Sequence, residues 1–336
     1  MTSTPLRVGL LGASRIAPAA VIRPARKTPG VTIAAVAARD DRRGRRYATK
    51  YDIPTVHDDY QSLISDPAID AVYVPLPNGL HGQWTIAAMR QGKHVLCEKP
   101  LTANAAEARV VEAEAHESGS VMMEAVHYRY HPVALRMIEI VRSGEIGALR
   151  HVEAALCAPY ARFSDIRYRL DLAGGALMDP GCYAVHMVRT VAGAEPEVVS
   201  ARAELRPSGI DRAVTAELAF PGGVTGRIVT SLWSSDLFRL SVRAVGERGE
   251  MRVFNPLLPQ LGHRIVTRVH RRARRVEHLT RRPSYAFQLD AFAAAVRDGT
   301  PVLTNATDAV RTMSVIDAVY DAAGLPRRQP VPVPAS

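Results

Sequence analysis

The sequence is poor in cysteine, has few aromatic residues and contains no long apolar run. Its three cysteines, Cys97, Cys157 and Cys182, are widely spaced and form no C-x-x-C pair. This argues against a disulfide framework and against a zinc site. No apolar run approaches the roughly 18–20 residues of a membrane-spanning helix, and the N-terminus lacks the features of a signal peptide. A cytoplasmic protein with no metal and no membrane partner is therefore predicted.

The positive charge of the chain is unevenly distributed. The formal net charge is +10, and the densest basic run is Arg268–Pro283. Val269, Ala273 and Val276 interrupt its arginines, and neither a recognition-helix pattern nor interleaved aromatic residues accompany it. A solvated strand or the rim of a hairpin is therefore predicted, and no nucleic-acid partner is expected. Attraction of an anionic substrate is the alternative.

A chain of 336 residues is too long for one ordinary hydrophobic core, so two domains are predicted. Through about Glu124, continuous apolar strands alternate with helical patterns, which is typical of an α/β, doubly wound parallel sheet. Later strands, separated by short turns, predict a large, mainly antiparallel sheet. We predict a Rossmann domain at 1–124, an α+β substrate and oligomerisation domain at 125–325, and a disordered Pro-rich tail at 326–336.

The first apolar run ends in a turn that resembles a dinucleotide fingerprint, G-x-G-x-x-G/A. Gly12 suits the tight turn and Ala17 suits close packing of a helix against the strand. Ser14 replaces the middle glycine, and its hydroxyl can donate to a phosphate. With the helix N-terminus completing the anion site, we expect Gly12, Ser14, Arg15 and Ile16 to hold a pyrophosphate. A plain packing turn is the alternative, but the position between a first strand and a first helix favours a nucleotide.

The end of the second strand indicates which nucleotide binds. NAD-binding versions place an acid there, whereas this chain has Ala38 followed by Arg39. An uncharged residue removes repulsion, and a guanidinium can bind a 2′-phosphate with two hydrogen bonds. Arg42 and Arg43 are placed to assist. NADP(H) is therefore predicted, while a register shifted by two would make Asp40 the ribose acid and allow NAD(H).

Two segments carry residues with acid–base chemistry. Lys99 follows an apolar strand and precedes Pro100, so it projects from the carboxyl edge of the sheet where a nicotinamide lies. Asp179 and Tyr183 are four residues apart, which places both on one face of a predicted helix, with His186 on its flank. A surface lysine and a capped helix with a buried tyrosine are the structural alternatives. Taken together, these residues form an acid–base constellation.

Three segments carry a family resemblance, "PLPNGLH", "GKHVLCEKPLTAN" and "GGALMDPGCY". They resemble the spaced motifs of the Gfo/Idh/MocA family, and the resemblance runs from the opening turn to about Leu325. It implies a pyridine-nucleotide oxidoreductase that acts on sugars, polyols and related carbonyls. It also implies that Lys99 is the catalytic lysine, that the Lys99-Pro100 bond is cis, and that relatives pair through the large sheet. A homodimer or a homotetramer is therefore expected.

The chain departs from the family's D-x-G-x-H-x-x-D pattern. Tyr183 stands at the histidine position and His186 at the last aspartate. The combination of Lys and Tyr resembles the dihydrodiol and xylose dehydrogenase branch and certain deoxysugar ketoreductases. A phenol can protonate the alkoxide that hydride transfer creates, and a nearby Lys99 ammonium favours its ionisation. Lys99 can also polarise the substrate oxygen, while Asp179 anchors a substrate hydroxyl or orients Tyr183.

The remaining site residues are assigned by position. The resemblance places the loop of Pro77 and Asn78 against the nicotinamide, although Asn78 alone would suit a helix cap. His81 and Glu98 are assigned to the cofactor, with a structural role equally open for His81. The substrate is assigned a further set near the predicted domain junction and the catalytic helix: Arg129, Tyr130, Arg167, Arg169 and His186.

Three functions are compatible with these motifs. The first is an NADP(H)-dependent oxidoreductase acting on a sugar-like small molecule. The second is a non-catalytic, cofactor-binding regulator, and the retention of both Lys99 and Tyr183 argues against it. The third is a nucleotide-dependent glycosidase, whose relatives tend to carry an export signal. The oxidoreductase is the predicted function.

Overall fold

The computed structural model describes residues 5–332, which divide into two units. The first unit comprises the chain up to His127 together with Tyr285–Val310, and the second comprises Tyr128–Ser284 together with the chain from Arg311. The bounds expected from the sequence, at residues 124 and 325, stay a prediction. Within residues 5–332, no helix has both the length and the apolar character needed to cross a membrane.

The first unit is built on a six-stranded sheet in which every neighbouring pair is parallel. The strand order is β3-β2-β1-β4-β5-β6, so the doubly wound sheet predicted from the sequence is confirmed. Its central strands are buried along their length, as continuous apolar runs require. The strands are β1 (Leu6–Leu11), β2 (Val31–Ala37), β3 (Thr55–His57), β4 (Ala71–Val74), β5 (His94–Cys97) and β6 (Met122–Glu124).

Helices follow these strands. A π-helical turn, Pro18–Ile22, leads into the first, and side-chain caps start three others. Asp40, Asp59 and Asn104 each accept a backbone N–H in the first turn of the helix that they precede. The helices are α1 (Arg23–Ala25), α2 (Asp41–Tyr51), α3 (Tyr60–Ser65), α4 (His81–Arg90) and α5 (Ala105–Ser118).

The second unit is built on an eight-stranded sheet with the order β14-β13-β12-β11-β7-β10-β9-β8. Its pairs are antiparallel except β7 with β10, so the predicted mainly antiparallel sheet is confirmed. This unit contains α6 (Pro132–Arg142), α7 (Cys182–Ala192) and the part of the helix Ala306–Ala322 that begins at Arg311, and α7 packs against β7, β10 and β11. The strands are β7 (Leu149–Cys157), β8 (Glu197–Leu205), β9 (Asp211–Phe220), β10 (Val224–Ser231), β11 (Arg239–Gly246), β12 (Gly249–Phe254), β13 (Arg264–Val269) and β14 (Arg275–Glu277).

Two helices close the chain, α8 (Ser284–Asp298) and α9 (Ala306–Ala322). The basic run includes the exposed turn between β13 and β14, at the edge of the second sheet, which confirms the predicted hairpin rim. The predicted disorder of the tail is wrong at Arg328. This side chain is only 3% exposed, because its guanidinium pairs with a buried carboxylate, that of Asp211. Residues 333–336 of the tail lie outside the described residues.

Candidate active site

The turn after β1 has the geometry of a nucleotide-binding glycine turn. Gly12 has a φ of +116°, a conformation that residues with a side chain rarely adopt. Ser14 caps the turn that follows, because its Oγ accepts the backbone N–H of Ala17 at 3.2 Å. That bond does not use the hydroxyl proton of Ser14, which can therefore serve an anion. Two other predicted phosphate-binding residues lie in the same turn, the exposed Arg15 and the half-buried Ile16.

Helix α2 is fastened to this turn by two side chains. Arg43 donates from Nη2 to the carbonyl oxygen of Ala13 at 2.6 Å. Tyr47, one helical turn later, donates its hydroxyl to the carbonyl oxygen of Ser14 at 2.9 Å. Burial raises the pKa of Tyr47 well above its ordinary value, so the phenol stays a donor. The sequence argument missed Tyr47; the signal was its i, i+4 spacing from Arg43 on one helix face.

The charged residues that follow β2 have different surroundings. Ala38 is buried, whereas Arg39 is exposed beside it. Asp40 is the N-cap of α2, and its Oδ1 accepts the backbone N–H of Arg43 at 2.8 Å. Burial raises the pKa of Tyr60, and the charges of Arg39 and Arg43 oppose that shift. The charges of both guanidinium groups thus act on a phenol whose hydroxyl lies near Gly12.

The loop after β5 holds the candidate lysine. The Lys99-Pro100 bond is cis, as the family resemblance implied. Glu98 is buried, and its Oε1 accepts the hydroxyl of Tyr73 at 2.6 Å while its Oε2 accepts the backbone N–H of Lys99 at 3.3 Å. Burial and the Glu98 charge both raise the pKa of Tyr73. Lys99 is partly exposed at the carboxyl edge of the sheet. Tyr73, on β4, was missed by the sequence argument because only the fold brings it to Glu98.

His81 connects this loop with the one before it. Its Nδ1 lies 2.7 Å from the carbonyl oxygen of Pro100, and its Nε2 lies 2.7 Å from that of Leu76. Burial lowers the pKa of His81 to about 4, and the two carbonyl oxygens oppose that shift. The N-cap of α4 is Leu80, and the half-buried Asn78 starts the preceding 3₁₀ turn, with the half-buried Pro77 as the N-cap of that turn. The imidazole thus joins the predicted nicotinamide loop to the loop of the lysine.

In the second unit, Asp179 is anchored by Arg167. The Nε of Arg167 donates to Oδ2 of Asp179 at 2.6 Å, and its Nη1 donates to Oδ1 of Asp165 at 2.9 Å. The Asp179 carboxylate is the main cause of a raised Arg167 pKa. The sequence predicted one regular helix here, but Asp179 lies in a π-helical turn, Leu177–Gly181, that contains a proline. The regular helix expected across Asp179 was therefore wrong, and the shared face of Asp179 and Tyr183 stays a prediction.

Tyr183 lies in an aromatic cluster on α7. Its ring contacts that of Tyr128 edge to face, with the centroids 6.2 Å apart. The hydroxyl of Tyr128 lies 2.6 Å from Nδ1 of His186, which is 1% exposed. His186 therefore orders Tyr128, which in turn packs against Tyr183. Tyr128 was missed because nothing in its local sequence indicates a partner 58 residues away.

Three predicted substrate residues have other surroundings. Arg169 forms an exposed ion pair with Asp171. Tyr130 is partly exposed at the end of a 3₁₀ turn, His127–Tyr130. Arg129, in the same turn, has a buried Nη1 with no hydrogen-bond partner among residues 5–332. Lys99 and the cofactor residues thus belong to the first unit, and the Asp179, Tyr183 and arginine set belongs to the second.

The chain is similar to known proteins over nearly its whole length. Residues 6–126 match the family described as "Oxidoreductase family, NAD-binding Rossmann fold", and residues 134–252 match the GFO/IDH/MocA C-terminal domain. D-xylose 1-dehydrogenase (NADP(+)) 2 of Haloferax volcanii is 36% identical over 324 residues, 94% of this chain and 96% of the relative. A dTDP-3,4-didehydro-2,6-dideoxy-alpha-D-glucose 3-reductase of Streptomyces violaceoruber is 33% identical over 333 residues, 95% of this chain and 96% of the relative.

A solved structure shares the whole fold. The crystal structure of a 3-ketoreductase from Actinomadura kijaniata with NADP and TDP-benzene has a TM-score of 0.87 at 28% identity. The similarity covers 95% of this chain and 98% of that one. With both domain families matched and relatives similar over nearly their full length, the chain belongs to the Gfo/Idh/MocA family of oxidoreductases.

Proposed function

We propose that this chain is an NADP(H)-dependent oxidoreductase that interconverts a carbonyl and an alcohol on a sugar or a sugar-like substrate. Relatives similar over nearly the whole chain are named as a xylose dehydrogenase and as ketosugar reductases. Both names describe the same chemistry, a hydride exchanged between a nicotinamide and a sugar carbon. Membership of the family supports the reaction class. Individual residues support the choice of cofactor and the acid–base roles.

The preference for NADP(H) is supported by the role of Asp40 as the N-cap of α2. Its carboxylate already caps α2 through the N–H of Arg43, so it is engaged elsewhere than at a ribose hydroxyl. The neighbouring Arg39 is exposed, and both Arg39 and Arg43 act on Tyr60 beside the turn. Two guanidinium groups with no acid at the strand end suit a 2′-phosphate.

The residues of the glycine turn fit the pyrophosphate of that cofactor. Gly12 has the positive φ that brings backbone close to a phosphate, and Ser14 has a hydroxyl proton to donate. Glu98 and His81 fix the loops after β5 and β4, whose carboxyl ends meet at one edge of the sheet. When bound, NADPH would supply the hydride that reduces the carbonyl.

The protein residues would supply the proton and hold the substrate. Tyr183 donates its phenolic proton to the developing alkoxide, and Lys99 favours the phenolate that this step leaves. The Lys99 ammonium also stabilises negative charge on the substrate oxygen. Asp179, held by Arg167 at 2.6 Å, accepts a hydrogen bond from a neighbouring substrate hydroxyl. In the oxidative direction the same groups act in reverse.

A steady-state assay tests the function. Nucleotide-linked ketosugars, free aldoses and cyclic diols are offered with NADPH or NADP⁺, and with NADH or NAD⁺. Tyr183→Phe keeps the ring and removes the hydroxyl, so kcat should fall by about 10²–10⁴ while the affinity for NADPH is unchanged. Lys99→Ala should lower kcat at least as much. The double variant should be only slightly less active than the less active of the two single variants.

The outcome that would contradict this assignment is specific. If Tyr183→Phe keeps nearly full activity while Asp179→Ala or His186→Ala abolishes it, Tyr183 is only a packed aromatic residue. Absence of turnover with every substrate class and cofactor would refute the oxidoreductase proposal itself. Cofactor binding without turnover would then favour a regulatory role.

We also propose that the second unit mediates a homodimer or a homotetramer. On β12 the side chains alternate, with Met251 and Val253 buried while Arg252 and Phe254 are exposed. Phe254 is 59% exposed, so this sheet has an apolar side chain on its open face. Sedimentation across micromolar concentrations should detect a dimer or tetramer, and a monomer throughout would refute this proposal.

A further inference from the structure

In the second unit, Arg328 forms a buried ion pair with the first residue of β9. Arg328 is 3% exposed and pairs through Nη2 with Oδ1 of Asp211, which is fully buried. Its neighbours in the chain, Arg327 and Gln329, are exposed. The guanidinium also lies over the ring of Tyr320, 4.4 Å from the centroid. An arginine in a Pro-rich tail is thus fixed as firmly as a core residue.

The partner carboxylate serves the start of the candidate catalytic segment. Oδ2 of Asp211 accepts a hydrogen bond from the backbone N–H of Leu177 at 2.8 Å. The backbone carbonyl oxygen of Asp211 accepts one from the N–H of Ala176 at 2.9 Å. Leu177 is the first residue of the π-helical turn that carries Asp179. Burial raises the pKa of the Asp211 carboxyl, and Arg328 opposes that shift. Arg328 thus favours the anion that accepts from Leu177.

Arg328 also holds the glycine loop, defined here as residues 173–177. Its Nε donates to the carbonyl oxygen of Gly174 at 2.9 Å. The N–H groups of Gly174 and Gly175 donate to the carbonyl oxygens of Arg169 at 2.9 Å and Arg167 at 2.8 Å. A Cβ on Gly174 would lie 2.5 Å from the Arg167 carbonyl oxygen, so only glycine permits this approach. The loop is therefore fixed to the residue that anchors Asp179.

We propose that Arg328 is a positioning residue, which acts through Asp211 and the glycine loop to orient Asp179 and the start of the Tyr183 helix. The inference rests on the proposed function, because it assumes that Asp179 and Tyr183 face the substrate. Two routes lead from Arg328 to Asp179. One passes through Asp211 to the first N–H of the π-helical turn, and the other passes through Gly174 and its neighbour Gly175 to the backbone of Arg167.

Paired truncations test the proposal. One protein ends after Leu325 and lacks Arg328, and its matched control ends after Arg328 and lacks only residues 329–336. The control should match the wild type. The shorter protein and Arg328→Met should lose kcat by about 10²-fold, as a displacement of about 1 Å can cause. The KM for NADPH should be unchanged, because the cofactor residues lie in the first unit.

Further variants separate positioning from stability. Arg328→Met leaves a buried carboxylate without its cation, which destabilises the fold. Adding Asp211→Asn removes that charge, so the double variant should regain stability in urea unfolding. Its kcat should stay low, since the carbonyl oxygen of Gly174 still lacks the hydrogen bond from Arg328. Arg328→Lys should restore part of kcat, and Arg327→Met, at the exposed neighbour, should change nothing. If the double variant regains kcat together with stability, Arg328 is only structural and the proposal fails.

Hydrogen exchange gives a readout that does not depend on activity. The amides of Ala176, Leu177 and Asp179 should exchange faster in Arg328→Met and in the Asp211→Asn double variant than in the wild type. If the wild type has no oxidoreductase activity but these amides respond, the proposed function fails and the connection from Arg328 to the site stands. Unchanged exchange at residues 174–181 would overturn the inference whatever the activity.

Discussion

The hydroxyl of Tyr73 donates to Oε1 of Glu98 at 2.6 Å, and both side chains are buried between neighbouring strands. Removing the donor leaves a buried carboxylate oxygen without this bond. Tyr73→Phe should therefore lower the free energy of unfolding by about 1–3 kcal/mol, measured by urea denaturation. Tyr51→Phe, at a partly exposed tyrosine, is the matched control. Equal effects of the two substitutions would show that the bond contributes nothing.

The cofactor preference should depend on Arg39. Because its guanidinium is exposed beside the glycine turn, Arg39→Ala should raise the KM for NADP(H) and leave the KM for NAD(H) almost unchanged. Initial rates with both cofactors measure the effect. Arg46→Ala, at an exposed position on the following helix, α2, controls for the loss of charge alone. Parallel losses with both cofactors would refute a 2′-phosphate contact.

Glu107 should make stability fall as the pH rises. It lies in the first turn of α5, where its Oε2 accepts the N–H of Ala103 at 2.8 Å, and burial raises its pKa from 4.5 to about 7. The folded state binds this proton more tightly than the unfolded state, so the stabilisation is complete below about pH 4.5 and is lost as the pH rises through about 7. Glu107→Gln cannot titrate.

Urea unfolding of the wild type and Glu107→Gln at about pH 5 and about pH 8 measures this effect. The variant should gain stability relative to the wild type as the pH rises. A difference that is the same at both pH values would mean that Glu107 titrates normally in the folded protein.

His81 should show the opposite pH dependence. Its pKa is lowered from 6.5 to about 4, so the folded state binds the proton less tightly than the unfolded state. Its stabilisation is present above about pH 6.5 and is lost as the pH falls through about 4. His81→Leu removes an imidazole that lies 2.7 Å from the carbonyl oxygens of Pro100 and Leu76, and should be less stable than the wild type at neutral pH because the hydrogen bond to one of them is lost.

The deficit of His81→Leu should narrow as the pH falls from about 7 to about 5 in urea unfolding, because only the wild type has this group to protonate. The KM for NADP(H) should rise as well, since the two loops assigned to the cofactor are no longer joined. A deficit that widens at low pH would contradict a buried neutral imidazole.

The sequence predicted what local patterns encode. Continuous apolar runs with helices between them predicted the parallel sheet, and successive strand-like segments separated by short turns predicted the second sheet, with clear alternation in β9. The strands β3 and β14 were missed because each has three residues and little apolar character. At Leu177–Gly181 the pattern indicated an α-helix, but Pro180 cannot donate the N–H that a regular turn requires, and the chain forms a π-helical turn instead.

The sequence indicated which residues are candidates for the site, but it did not indicate the distant residues that contact them. Lys99, Asp179 and Tyr183 could be selected from motifs, because the chemistry of each is carried by its own side chain. Tyr73 and Arg328 could not, since each acts on a residue distant in the chain that only the fold brings near. Arg328 and Asp211 are 117 residues apart, and the Pro-rich composition around Arg328 predicted disorder instead of a buried side chain.

The parallel pairing of β7 with β10 has a consequence for variation within this fold. Cys157 and Ser231 are paired at the ends of these strands, so the segments that follow them leave the sheet side by side. Those segments carry Phe163 and Trp233, whose rings contact edge to face with centroids 5.7 Å apart. Residues 158–165 and 232–238 can therefore be exchanged as a pair, which offers an engineer a way to change the surroundings of Arg167 while the strand register stays fixed.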